Sequence, residues 1–259
     1  MYQEERLIEI VKYLEKHKRI SIETICELVD VSRDTARRDI IKLEEQGHIL
    51  RTRGGAILPT LSKTIANYNE RLRDETTTSS KRAIGKLAAS LLHDGDYLLL
   101  DASTTVQSAA EQIETRGHVV ITNSIDIAGI LNQKEGISIH LLGGVLHPEH
   151  RYIYGSRALE MLGDYYVHKL IMGIGAIAED GITTPHEEDG YILKEMMRRA
   201  DQVVLLADHT KFGKRQFHRI SGLEKIDILI TDREPDVSMK EAMLRHEIDI
   251  MIAKGETTP

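Results

Sequence analysis

Apolar residues recur at two different spacings along this chain, and the change between them divides it in two. At the start the spacing is helical. Leu7, Ile10, Val11 and Leu14 share one face of a helix over residues 3–16. Ser21 can cap a second helix carrying Ile22, Ile25, Leu28 and Val29. A tight turn at Val31-Ser32 leads to a third helix with Ser32 as N-cap and Ala36, Ile40 and Leu43 as its inward stripe. Gly47 ends it, as a residue tolerant of left-handed backbone should. Two extended pieces, 48–52 and 56–58, flank Arg53-Gly54-Gly55 and read as a hairpin. Three helices and a hairpin make a winged helix-turn-helix over residues 1–58.

Residues 59–80 are polar, rich in Thr and Ser, and keep no sustained apolar period. They read as a linker, with helical character allowed around Tyr68–Leu72. From residue 81 the period changes. A helix over 83–92 precedes the turn Asp94-Gly95-Asp96. Short apolar runs then alternate with amphipathic segments. Strands are expected at 97–100, 119–122, 137–142, 169–172, 203–207, 226–230 and 248–252. Helices are expected at 105–113, 125–131, 156–162, 191–199 and 239–246. This alternation implies an α/β fold for residues 81–259: a three-layer domain with a mostly parallel sheet covered on both faces.

Charge changes the picture only after it is divided. The chain carries 34 Lys/Arg and 41 Asp/Glu, a net −7, which argues against nucleic acid as a partner. Residues 1–58, however, hold eleven of each sign and sum to zero, so the whole excess falls on the rest. Within 32–58 the basic residues are Arg33, Arg37, Arg38, Lys42, Arg51 and Arg53. A positive surface this small binds DNA weakly as a monomer, so a homo-oligomer, dimer or tetramer, is expected on repeated half-sites. The charged start of the chain lacks a signal-type apolar core, and no apolar run approaches membrane length. The expected location is the cytoplasm, without membrane partners. The single cysteine, Cys26, lies on an apolar helix face and reads as a core residue.

With Ala36 at the centre of the buried face, Asp34, Arg38, Ile41 and Glu45 point away from the core, and Thr35 and Arg37 lie on the flanks. The N-terminal half of the third helix thus offers Ser32, Arg33, Thr35, Arg37 and Arg38 to a major groove, where Arg can bind guanine or phosphate and Thr a base methyl. Arg51 and Arg53 on the wing suit phosphate or minor-groove contacts. Asp39 lies nearer the core edge, placed to orient an arginine. Double-stranded operator DNA is the expected partner.

The second domain concentrates its chemistry at strand ends. The first strand runs into Asp101-Ala102-Ser103-Thr104-Thr105 and a helix start, which offers N–H groups to an anion. The second ends at Thr122-Asn123-Ser124 and the third at Gly143-Gly144. A later one ends at Asp208-His209-Thr210-Lys211, where Lys211 can meet a phosphate as a point charge. Hydroxyls, N–H groups, an acid and a lysine at four strand ends suit a phosphorylated sugar or polyol.

The run from Val31-Ser32 through Arg37-Arg38-Asp39, Leu43-Glu44, Gly47 and Arg53-Gly54-Gly55-Ala56 resembles the signature of the DeoR family of bacterial transcriptional regulators. Ala36 stands where that family usually has a branched aliphatic residue. The resemblance extends over nearly the whole chain. It implies a C-terminal domain similar to sugar-phosphate isomerases that senses phosphorylated sugars, and most often a repressor of a carbohydrate operon. The family's phosphate loop, Asp-x-Gly-Thr-Thr, stands here with Ser103 in place of the glycine. Its Asp-x-(Ser/Thr)-Lys-Phe-Gly motif is intact over 208–213. The resemblance also carries Glu188 and Lys194, near Thr183-Thr184-Pro185-His186, toward the effector.

An isomerase-like enzyme with an appended DNA-binding domain is the alternative. Asp101, Asp208 and Glu188 are its candidate bases. Sensing needs only binding, and a fused DNA reader gives binding a purpose, so no catalytic residue and no cofactor are assigned. His147-Pro148-Glu149-His150 and His186 complete no known metal cage in sequence, and surface or polar-loop histidines are expected there.

Overall fold

Side-chain caps fix where the first helices begin. The computed structural model describes residues 2–58 and 75–254, the side chains of 75–77 excepted. In it α1 spans Gln3–His17, α2 Ile22–Val29 and α3 Arg33–Glu45. The Ser21 hydroxyl accepts from the Thr24 N–H at 3.0 Å and Ser32 from Thr35 at 3.3 Å. Each cap satisfies an N–H that has no partner inside the helix, worth ~1 kcal/mol. Gly47 follows α3 at φ 76°. The helices close on a core that includes Leu7, Ile10, Leu14, Ile25, Val29, Ala36, Ile40 and Leu43, with Cys26 packed at its edge.

The expected hairpin gains a strand. β1 (Arg19–Ser21), β2 (Leu50–Thr52) and β3 (Gly55–Ile57) form a sheet in the order β1-β3-β2, both pairings antiparallel. Three residues between two helices give too little alternation for β1 to be read from sequence.

The contacts divide the chain into two compact units, Met1–Thr64 and Ile65–Pro259. In the second, α4 spans Glu75–Ala89, so residues 75–80, expected in the linker, are helical. The helical character expected around Tyr68–Leu72 lies outside the described residues. Then follow β4 (Tyr97–Leu100), α5 (Thr104–Glu111), β5 (Val119–Thr122), α6 (Ile125–Leu131) and β6 (Ser138–Leu141). The hairpin β7 (Val145–Leu146) and β8 (Ile153–Tyr154) leads to α7 (Ser156–Gly163) and β9 (Val167–Gly173). Next come β10 (Ala176–Ala178), β11 (Gly181–Thr184), α8 (Glu187–Arg198) and β12 (Ala200–Leu206). The chain continues through β13 (His218–Ser221), β14 (Ile228–Thr231), α9 (Val237–Arg245) and β15 (Asp249–Ile252).

All seven expected strands join one sheet, ordered β15-β14-β12-β9-β4-β5-β6, with every pairing parallel. Its apolar runs serve two cores at once. Leu98, Leu100, Val120, Val204 and Leu206 pack with residues of α4, α5 and α6, including Ile84, Val106 and Ile127. The alternate positions Leu99, Ile121, Leu170, Val203 and Leu205 pack with α7, α8 and α9 through Leu162, Met196 and Met243. That is the three-layer arrangement expected of a parallel sheet buried on both faces. A smaller antiparallel sheet, β10-β11-β13, adds to the second layer, its strands too short for their alternation to be read from sequence.

Strand order places a switch point. From β4 the chain moves to β5 and β6 on one side, and from β9 to β12, β14 and β15 on the other. Ligands in such sheets bind outside the carboxyl ends where the order reverses, here between β4 and β9.

Candidate functional site

In α3, Ala36 is fully buried, while Ser32, Arg33, Asp34, Arg37, Arg38, Ile41 and Glu45 are exposed and Thr35 is half-buried, the phase expected from sequence. Asp39 is fully buried. It accepts from Arg6 Nε at 2.8 Å and Nη2 at 3.1 Å, and from the Gln3 amide at 3.0 Å. The acid on the inner face of α3 thus clamps α1, which fixes the pitch at which α3 shows its outer face. Several outer arginines already have acidic neighbours. Arg33 pairs with Glu23, Arg37 with Asp34 at 3.4 Å, and Arg51 with Glu44 at 3.8 Å. Arg38 and Arg53 are exposed and make no ion pair among the described residues. Surface ion pairs are weak and salt-screened, so a phosphate can displace them.

The second constellation lies at the switch point. Asp101 follows β4 and is 4% exposed. One carboxyl oxygen accepts from the Ser103 N–H at 3.0 Å and the other from the Gly173 N–H at 3.1 Å, across the gap between β4 and β9. Burial pushes this carboxyl up to about 7. The two N–H donors oppose that shift, and the negative charge of Asp189 adds to it. The Ser103 hydroxyl accepts from Val106 N–H at 3.1 Å and starts α5, so Thr104 and Thr105 form the buried first turn. Ser103 fits because residue 173 is glycine: a Cβ there would lie 2.3 Å from the Ser103 hydroxyl oxygen. The serine that departs from the family loop is therefore matched by a glycine on the neighbouring strand.

At the end of β5, Thr122 donates to Leu100 O at 2.7 Å and accepts from Ser124 N–H at 3.0 Å. Ser124 caps α6 through Ile127 N–H at 3.2 Å. Asn123 is 1% exposed; its amide donates to Ile153 O at 3.3 Å, and its Oδ1 is buried with no partner among the described residues. Gly143 donates to the Met161 sulfur at 3.1 Å, and Gly144 begins the turn into β7.

After β12, Asp208 Oδ1 accepts from Thr210 N–H at 2.9 Å and from the Thr210 hydroxyl, which caps the short turn His209–Lys211. Its Oδ2 is buried with no hydrogen-bond partner among the described residues. Lys211 is half-buried in that turn. His209 donates its backbone N–H to Asp232 at 2.7 Å, its Nδ1 lies 2.7 Å from the same carboxylate, and Ser80 of α4 donates to it at 2.9 Å. Burial raises the Asp232 carboxyl, but these hydrogen bonds outweigh it and hold the group below the usual carboxylate range.

Asp208, Gly173, Asp101 and Asn123 thus follow one another along adjacent strand ends β12, β9, β4 and β5. Glu188 and Lys194 do not join them. Both are exposed on α8 and bond to none of these groups among the described residues. Their neighbour Asp189 does, accepting from Thr184 at 2.9 Å and acting on the charge of Asp101. Residues 187–190 form a first helical turn ahead of the helix expected over 191–199, and the phase of that turn points Asp189 rather than Glu188 inward.

The histidines differ from expectation as well. His150 is 5% exposed, not on the surface, and its Nε2 lies 3.1 Å from that of His186. His147 is the third member, with ring centroids 4.7 Å from His150 and 5.6 Å from His186. Among the described residues no group of three donor side chains is disposed to hold a metal ion, and no helix is long and apolar enough to cross a membrane.

Comparison with known proteins matches both units. A model of the DeoR-like helix-turn-helix domain covers residues 6–61, and one of the DeoR C terminal sensor domain covers 76–233. The HTH-type transcriptional repressor GlcR of Bacillus subtilis (strain 168) is 50% identical over 256 residues, 99% of this chain and 98% of that one. The glycerol-3-phosphate regulon repressor of Escherichia coli (strain K12) is 29% identical over 252 residues, 96% of this chain and 99% of that one. A solved ribose 5-phosphate isomerase A from Methanocaldococcus jannaschii aligns with 51% of this chain and 53% of its own, at 18% identity and a TM-score of 0.38.

Proposed function

Because this chain belongs to the DeoR family of transcriptional regulators, we propose that it is a DNA-binding repressor of a carbohydrate-use operon, released by a phosphorylated sugar or polyol. The observation that carries this reading is the joining, in one chain, of an exposed arginine face on a rigidly set α3 to a sensor domain with polar groups gathered at its switch point. In this reading Arg33, Thr35, Arg37 and Arg38 enter the major groove, and Arg51 and Arg53 contact the backbone beside it. The α5 N-terminus at Ser103–Thr105 and Lys211 receive the phosphate. Two or four copies supply the paired readers that a neutral DNA-binding segment needs, and the protein works in the cytoplasm.

Release follows from linkage. The effector binds the DNA-free arrangement more tightly, by a coupling of ~1–3 kcal/mol, and so weakens operator binding by the same factor. Electrophoretic mobility shift of the operator, with and without a panel of sugar phosphates, tests the reading directly. A specific complex that one sugar phosphate dissolves is the expected result; binding to no upstream DNA of its own operon overturns it. One observation favours the enzyme alternative: a buried carboxyl titrating near neutrality, as Asp101 does, is suited to proton transfer. Turnover of any panel member by the purified protein decides for that alternative.

A further inference from the structure

We infer that His147, His150 and His186 form the hydroxyl-reading end of the effector site, selecting a phosphorylated sugar or polyol with a neutral far end over a sugar-acid phosphate. The inference rests on the effector-binding reading above and adds what the site recognises besides phosphate.

The histidines stand over the strand ends. His147 and His150 lie in the turn of the β7–β8 hairpin, where His150 N–H donates to His147 Nδ1 at 3.3 Å. That hairpin is seated on the end of β5: Ile153 N–H donates to Asn123 O at 2.8 Å, the Asn123 amide donates to Ile153 O, and Ser124 bridges Tyr152. His186 comes from the opposite wall as the N-cap of α8, whose first turn carries Asp189, the acid felt by Asp101. The 3.1 Å contact between His150 and His186 therefore closes the space from β5 to α8.

The chemistry at this end is that of hydroxyl recognition. A neutral imidazole presents one donor and one acceptor, as a hydroxyl does. In the His150–His186 contact one Nε2 carries the hydrogen and the other the lone pair. Asn123 Oδ1 is buried beneath the hairpin with no donor among the described residues, an acceptor that a ligand hydroxyl can meet. Tyr152 and Tyr154, with ring centroids 5.2 and 6.3 Å from His147, give the same end an apolar wall for a carbon chain. A second anionic group would meet Asp189 on the first turn of α8, a repulsion that rejects it.

The test is calorimetric titration of the full-length protein with phosphorylated aldoses, ketoses and polyols, each beside its sugar-acid counterpart, and with inorganic phosphate. The expected result is one neutral-tailed compound bound about tenfold or more tighter than its acid counterpart and than phosphate. His150→Asn and His186→Asn should each lose about tenfold for that compound and nothing for inorganic phosphate. His147→Asn, at a half-buried position, serves if the variant at the buried His150 does not fold, as judged by its operator binding. Variants that bind the sugar phosphate as the wild type does overturn the inference and leave the effector reading intact. Tighter binding of the acid counterpart overturns it too. If no sugar phosphate binds at all, the effector reading fails and the inference with it. Stoichiometric metal in the purified protein, lost in the variants, overturns it in favour of a metal centre.

Discussion

The two units handle polar groups in opposite ways. On α3 and the wing the functional candidates are exposed, and three of the arginines, Arg33, Arg37 and Arg51, rest against nearby acids. At the switch point several candidates are buried and held by backbone groups: Asp101 accepts from the Ser103 and Gly173 N–H groups, and Thr122 donates to the Leu100 carbonyl and accepts from the Ser124 N–H. The difference follows from the partner. DNA is a large polyanion that exchanges one set of salt-screened contacts for another, so its reader needs only a fixed helix and mobile charges. A small metabolite is recognised by few groups, so each has to be set beforehand.

The contrast yields graded expectations. Replacing both Arg37 and Arg38 with Ala should have the largest effect, roughly a hundredfold or more on operator affinity, with an unchanged melting temperature. Fluorescence anisotropy with labelled operator measures it, and unaltered affinity breaks the assignment of α3. Lys211→Ala should lose about ten- to a hundredfold in effector affinity while operator binding stays as it was. Normal release at the wild-type effector concentration removes Lys211 from the phosphate site.

Gly173→Ala should act on the preset site through packing. The new Cβ meets Ser103, an overpacking worth about 1–3 kcal/mol, visible in denaturant titration of the sensor unit. Ser103→Gly in the same chain should restore most of it; no restoration means the two positions do not share that strain.

The smallest effect is one of pH. Asp101, with a carboxyl at about 7 in the folded protein, keeps its proton where the unfolded chain has lost it. Its contribution to stability is therefore fullest at low pH and declines as pH rises toward 7. The Asp101→Asn variant should gain on the wild type between pH 5 and pH 8, and a difference that does not change with pH sets the buried-acid assignment aside.

Much of the fold was legible because the sheet is buried on both faces. The run Tyr97–Leu100 reads as a strand however it is phased, and its observed bounds, like those of Val119–Thr122 and Ile125–Leu131, are the expected ones. The wing strand Arg19–Ser21 and the β10-β11-β13 sheet were not legible. They are three or four residues each, and β11 finds β13 over 30 residues away. The site divides the same way. Caps such as Ser32, Ser103 and Ser124 announce themselves by local spacing. Asp189 and the contact of His150 with His186, 36 residues apart, exist only after α8 and the hairpin have docked.

The Asp232 carboxylate has a mechanical consequence. It holds His209, two residues before Lys211, and Ser80, on the first described helix after the DNA-reading unit. The turn that carries Lys211 and the start of α4 are thereby stapled to one anchor. A rearrangement of either one strains the hydrogen bonds that hold the other, because both rest on the same carboxylate.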